Sequence, residues 1–322
     1  MLLRTGEGLL PLRTGFCPSI SNSSGKRLQY SNARLTHQST ARTFHKQAHR
    51  RHLPLSSVSR SQFKFQPFHR NHSTMSLPAN SKDHTPEEAI ALFKEIEAKF
   101  PSKTLGDDKW YLVALSGLVG VEQELVGTLY TYLISKPEFA SSESRKALIR
   151  RIREALVKNM SIQGVVKSIA ALISITAVEK PEDQDFSFSR EGWQAGPANI
   201  ERGETWLNAI YEGNLTDTTD HFLAHKDFDW VSREITYGLY LSDHSILGPV
   251  DTELVVLAGV MIQNLKLSTG WHLRGTRRIG VSAEDCEAVQ QCVELIGAFA
   301  GISLHKLPRV GDVEHQVHQF KK

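Results

Sequence analysis

The chain has 322 residues, 40% of them apolar, with three cysteines and a formal net charge of +3, enough apolar mass to bury a core in one or two domains. This excludes a collagen-like or wholly disordered chain, and the longest apolar run, the nine residues Leu254 to Ile262, is about half of the roughly 20 that a membrane-crossing helix needs. Cysteines at 17, 286 and 292 set up no framework of paired bridges, so a reducing compartment is expected.

The charge is unevenly spread. Residues 1–75 hold 12 Lys and Arg against one acid, Glu7, a balance of +11, while the rest of the chain carries −8. A basic, Ser-, Thr-, Asn- and His-rich stretch without sustained apolar period has the composition of a transit peptide. Residues 1–80 are therefore expected to be a disordered targeting arm directing the protein to mitochondria, to the matrix by preference. The acidic body argues against a nucleic-acid partner. Met75 offers a second start that would remove the arm and leave the protein cytosolic or peroxisomal, although the final Gln319-Phe320-Lys321-Lys322 is not a Ser-Lys-Leu type signal.

Thr85-Pro86-Glu87-Glu88 supplies a cap, a first-turn proline and two acids for a helix from Pro86 to about Phe100. Asp107 to Ser135 carries a broad apolar stripe closed by Pro137, and helical spacing continues over 141–159 and 162–178. Polar residues 179–200 predict a loop or mobile lid. Helical patterns follow near 201–212, 217–224, 228–241, 250–264, 268–280 and 282–300, the last opened by Ser282-Ala283-Glu284-Asp285. With no strand alternation, the body over 81–310 is expected to be an all-α multi-helix domain and 311–322 a polar tail. Helices 107–135 and 250–264 are apolar over more circumference than one contact covers, which predicts self-association.

Glu253 opens an apolar helix, and His272 follows a break within Asn264 to Gly270, placed at Ser268-Thr269-Gly270. One straight helix would hold the two about 28 Å apart at 1.5 Å per residue, whereas a hairpin brings them together. A carboxyl group and an imidazole meeting in a dry site make a general acid/base pair. Arg274, Arg277 and Arg278 offer guanidinium groups for a substrate carboxylate, and Trp271 offers a pocket wall. His221 and His225, four apart with Asp217, Asp220, Asp227 and Asp229 nearby, read more readily as a solvated polar face than as a metal site, and no metal is expected. His315 and His318 fall in the expected tail. Neither a phosphate loop, a Gly-x-Gly-x-x-Gly, a Gly-x-Ser-x-Gly nor a Cys-x-x-Cys occurs, so no cofactor is expected and nucleotide-driven, hydride-transfer and serine-hydrolase chemistries lose their usual signatures.

The stretch Glu253, His272 and Gly280-Val281-Ser282-Ala283-Glu284 resembles the carboxymuconolactone decarboxylase family, which includes the alkylhydroperoxidase D proteins. The resemblance covers roughly 105–300 in shape and 228–300 in readable motifs, and Ser144 through Lys167 is a candidate degenerate copy of the same hairpin. In the peroxidase branch a Cys-x-x-Cys stands seven and four residues before the His. Here those positions are Leu265 and Ser268, which form neither sulfenic acid nor disulfide, and Cys286 and Cys292 read as buried apolar positions. The decarboxylase branch implies proton transfer on a small carboxylated lactone, with Glu253, His272 and Ser268 as catalytic residues and Arg274, Arg277 and Trp271 holding substrate. The family also implies a homo-oligomer. A peroxide-related oxidoreductase and a non-catalytic mitochondrial scaffold are the alternatives.

Overall fold

The computed structural model describes residues 83–319, and among them there is no strand: this part of the chain is all-α, as its periodicity predicts. The arm expected over 1–80 lies outside the described residues. In α1 (Pro86–Lys99), Thr85 Oγ1 accepts from the Glu88 N–H at 3.2 Å and Glu88 Oε2 accepts from the Thr85 N–H at 2.7 Å, a reciprocal cap that satisfies two otherwise orphaned donors. Ala89, Leu92, Phe93 and Ile96, spaced by three and four, form its buried face.

A short α2 (Ser102–Leu105) leads into α3 (Trp110–Val121). The stretch expected as one helix over 107–135 is two, because a 3-10 turn at Gln123–Leu125 separates α3 from α4 (Val126–Ile134). Side chains replace the missing helical donors at that break. Gln123 Nε2 donates to Val119 O at 2.8 Å and Lys167 Nζ to Gly120 O at 2.6 Å. The hairpin of α5 (Ser142–Gln163) and α6 (Val165–Thr176) turns at Gly164, whose φ of +97° suits a residue without Cβ.

The second half runs α7 (Pro197–Tyr211), α8 (Asn214–Asp220), α9 (Lys226–Trp230), a π-helical segment π1 (Val231–Leu241), α10 (Pro249–Met261), α11 (Lys266–Arg278), α12 (Ala283–Phe299) and α13 (Val310–Glu314). At the centre α3 packs on α10, with α5 and α12 against them. Trp110 through Val119 and Asp251 through Met261 are buried without interruption. The apolar circumference from which self-association was expected therefore closes the core of a single chain. At this crossing a Cβ on Gly259 would lie 3.0 to 3.1 Å from Ile162, Asn159 and Ser116. The small residue lets a polar knot form there: Ser116 Oγ donates to Val255 O at 2.6 Å, and Gln163 Nε2 donates to Asn159 Oδ1 and Ser116 O, both at 2.7 Å.

The polar stretch after α6, expected as a loop or mobile lid, is strapped to α5. Asp183 pairs with Arg145 at 2.7 Å, Asp185 with Arg153 at 2.8 Å, and Arg190 grips Glu154 with two bonds of 2.7 Å. Beneath them Lys158 is fully buried, its Nζ donating to Tyr240 O at 2.9 Å and Asp243 O at 2.7 Å. Burial pushes that amine down to about 8. The segment expected as a polar tail also packs: Val310, Val313 and Val317 are buried, and α13 lies against α11 and α12. No described helix is long and apolar enough to cross a membrane.

Candidate functional site

Pro249 occupies the first turn of α10 and places Glu253 one turn in, where the side chain is wholly buried. The chain reverses over Ile262 to Leu265, with Asn264 at a φ of +57°, the left-handed region that Asn tolerates better than most residues. The reversal thus precedes the expected break, and Ser268-Thr269-Gly270 form part of α11. Folding α11 back on α10 brings His272 Nδ1 to 3.0 Å from Glu253 Oε2. A carboxylate accepts only, so an ionised Glu253 takes this bond from Nδ1–H and leaves Nε2 as the other ring nitrogen. The second oxygen, Glu253 Oε1, is buried with no hydrogen-bond partner among the described residues. One turn beyond the histidine, Gly275 keeps the space open; a Cβ there would lie 3.0 Å from Ile210 and 3.5 Å from Glu253 Oε2.

His272 forms part of the wall of a cavity of about 240 Å³ shared with Tyr211, Phe222, Tyr237, Ser268 and Trp271. Of the expected site residues, the structure brings together Glu253, His272, Ser268 and Trp271. Leu265 borders the same cavity. The expected arginines do not join them. Arg274 Nη1 donates to Gln316 Oε1, and Arg277 forms an ion pair with Glu314 at 2.6 Å. Arg278 Nη1 donates to Ile210 O at 2.9 Å and Tyr211 O at 2.6 Å, capping the carbonyl end of α7. Arg274 borders a different hollow with Pro308 and Gln316. The reason is the C-terminal segment: being packed rather than loose, it supplies partners that compete for these guanidinium groups.

Tyr211 and Tyr237 were not legible as site residues. Their hydroxyls lie 3.2 Å apart, and the Tyr211 ring stands edge-on to the His272 ring with centroids 6.2 Å apart. Burial pushes Tyr211 up to about 12 and Tyr237 well above its ordinary 10, so both stay protonated donors at neutral pH. Tyr237 sits on π1, whose wider i→i+5 pattern is shown by the bond from Ser242 N–H to Tyr237 O at 2.9 Å. His221 and His225 occupy the turn between α8 and α9, so the common helix face expected for them does not form. Among the described residues no three His, Cys, Asp or Glu side chains come together as a metal-holding group.

Two curated relatives are similar to this chain. One, named Peroxisomal protein 2, from Schizosaccharomyces pombe (strain 972 / ATCC 24843), is 25% identical over 169 residues, 51% of this chain and 74% of the relative. The other carries the same name in Saccharomyces cerevisiae (strain ATCC 204508 / S288c) and is 22% identical over 183 residues, 49% of this chain and 65% of the relative. No family model matches the chain, and no solved structure matches it. The names overturn the mitochondrial expectation, since both relatives are called peroxisomal. That expectation rested on the composition of residues 1–80 alone, which separates a transit peptide from other basic, Ser-rich sequence only weakly.

Proposed function

We propose that this chain is a peroxisomal acid/base enzyme of the carboxymuconolactone decarboxylase-like type, acting on a small lactone or carboxylated substrate with Glu253 and His272 as its proton-transfer pair. The observation that carries the reading is the 3.0 Å contact between a wholly buried Glu253 and Nδ1 of His272, whose ring forms part of a cavity wall. In such a pair Nε2 takes a proton from the substrate, the imidazolium that forms is held by the carboxylate, and the proton returns to the product. Glu253 fixes tautomer and ring orientation, which a buried third partner does in other acid/base assemblies. The relatives' name supports the compartment. Dithiol peroxide chemistry has less support, because Leu265 and Ser268 stand in the cavity where thiols would be needed.

The test is exchange of substrate C–H protons with deuterated solvent, followed by NMR across a panel of small lactones. Glu253→Gln and His272→Gln should each slow exchange by about 10² to 10⁴-fold with unchanged circular dichroism. Full exchange in both variants would sink the reading.

We infer that the chain also self-associates, through α6 rather than α3 or α10. Val166 and Ile173 are 76% and 61% exposed and lie with Val165, Ile169 and Leu172 on one uncharged helix face, the kind of apolar patch a monomer rarely leaves open. Sedimentation velocity should show an oligomer that Ile169→Glu with Ile173→Glu dissociates. An unchanged sedimentation coefficient would remove α6 as the interface.

A further inference from the structure

The charges around the cavity discriminate between the two halves of "lactone or carboxylated substrate". Its apolar wall includes Leu207, Leu215 and Val260 with the rings of Tyr211, Phe222 and Trp271, and serine and threonine hydroxyls complete the lining. Apart from His272, the charged side chains on its border are Asp229 and Arg233. Arg233 is already shared between two carboxylates: Nε donates to Asp229 Oδ1 at 2.8 Å and Nη1 to Glu204 Oε1 at 2.7 Å. Asp229 is the largest influence holding that guanidinium charged, and Glu204 adds to it. At this edge of the cavity one cation faces two carboxylates. An incoming carboxylate would meet an Arg233 whose charge two carboxylates already share, and would approach them. Of the other arginines nearby, Arg277 is paired with Glu314 and Arg278 with Glu212; Arg274, held on the neutral Gln316, keeps its charge but lies outside the cavity wall.

We propose that the cavity takes a small uncharged molecule, with an apolar ring-like body and one carbonyl or hydroxyl oxygen, and discriminates against carboxylates. The volume of about 240 Å³ matches the liquid volume of roughly eight waters at about 30 Å³ each, below the range of drug-sized sites. The aromatic walls accept a flat ring. The protonated hydroxyls of Tyr211 and Tyr237 beside His272 suit an oxygen acceptor, which a lactone or ketone offers without a charge to desolvate. The proposal deepens the acid/base reading by naming its substrate class and rests on it for the chemistry, but it is tested by binding alone.

The experiment is calorimetric or ligand-observed NMR titration of the full chain with phthalide and with phthalide-3-carboxylate, a pair differing by the charged group. Phthalide should bind at least tenfold more tightly than its carboxylate, and Trp271→Ala should weaken phthalide binding with unchanged circular dichroism. The double variant Glu204→Gln, Asp229→Asn, which leaves Arg233 without its carboxylates, should tighten carboxylate binding by tenfold or more and leave phthalide binding alone. Equal or tighter binding of the carboxylate to the unmodified protein would overturn the proposal, as would failure of phthalide to bind up to its solubility. If phthalide binds with the expected preference but Glu253→Gln and His272→Gln leave proton exchange intact, the acid/base reading falls while the ligand class stands.

Discussion

Burial pushes the thiols of Cys286 and Cys292 up to about 12, so neither carries a nucleophilic thiolate at neutral pH. Alkylation with iodoacetamide at pH 7.5 should leave both unlabelled in the folded protein and label both in denaturant. Rapid labelling of either in the native state would return thiol chemistry to consideration. At this scale the sequence was legible where chemistry and spacing coincide. Glu253 and His272 are singled out by a carboxyl group in an apolar run and an imidazole beyond a turn, and they meet at 3.0 Å. Tyr211 and Tyr237 belong to α7 and π1, and no periodicity rule links side chains on two helices that meet only through tertiary packing. Arg277 stands apart from the cavity for the converse reason: its partner Glu314 belongs to a segment whose few apolar residues gave no sign of packing.

Among the elements, α7 and π1 pack closely. A Cβ on Gly238 of π1 would stand 2.3 Å from Asn199 Nδ2 of α7, and one on Gly203 of α7 would stand 2.8 Å from Arg233 O of π1. Gly238→Ala should therefore cost about 1 to 3 kcal/mol as overpacking. Gly311→Ala, where nothing lies within 4 Å, should cost nothing. Thermal unfolding of the two variants checks the contrast, and equal melting temperatures would show that the helices yield at this contact. Helix existence was legible from period and caps, as with Thr85 and Ser282, both of which accept from the third residue of the helix they open. Helix interruptions were less so. The end of α3 is decided by Gln123 and by Lys167, 46 residues beyond Val121 in the chain, and π1 reads as an ordinary helix because its 11 residues hold too few turns for apolar spacing to separate the two periods.

For the molecule as a whole, the central α3 and α10 explain why an apolar circumference is ambiguous in a sequence: a helix surrounded by its own chain and one that recruits a second copy look alike. The described fold class was legible, whereas a compartment judged from the composition of one arm was not. Global stability should carry a mark of the charged cluster under π1. Burial, aided by the Lys158 cation, holds His244 down to about 4 from its ordinary 6.5. Between those values the unfolded chain binds a proton that the native state does not, so stability rises with pH across that window and is lost as pH falls through it. Urea denaturation at pH 4.5 and 6.5 should show a smaller difference for His244→Phe than for the unmodified protein. An identical difference would place the acid sensitivity elsewhere.

The strap after α6 has a further consequence. Asp183 and Asp185 end on α5, and Arg190 ends on Glu154 of α5 and on Asp243 beyond π1. Its backbone is thus tethered at intervals although its composition is that of a linker. A protease offered the native protein would find exposed side chains such as Phe186 and Phe188 there, held between ion-paired anchors. Cleavage within it, where it occurs, would report the opening of the α5 ion pairs rather than the fraying of a loop.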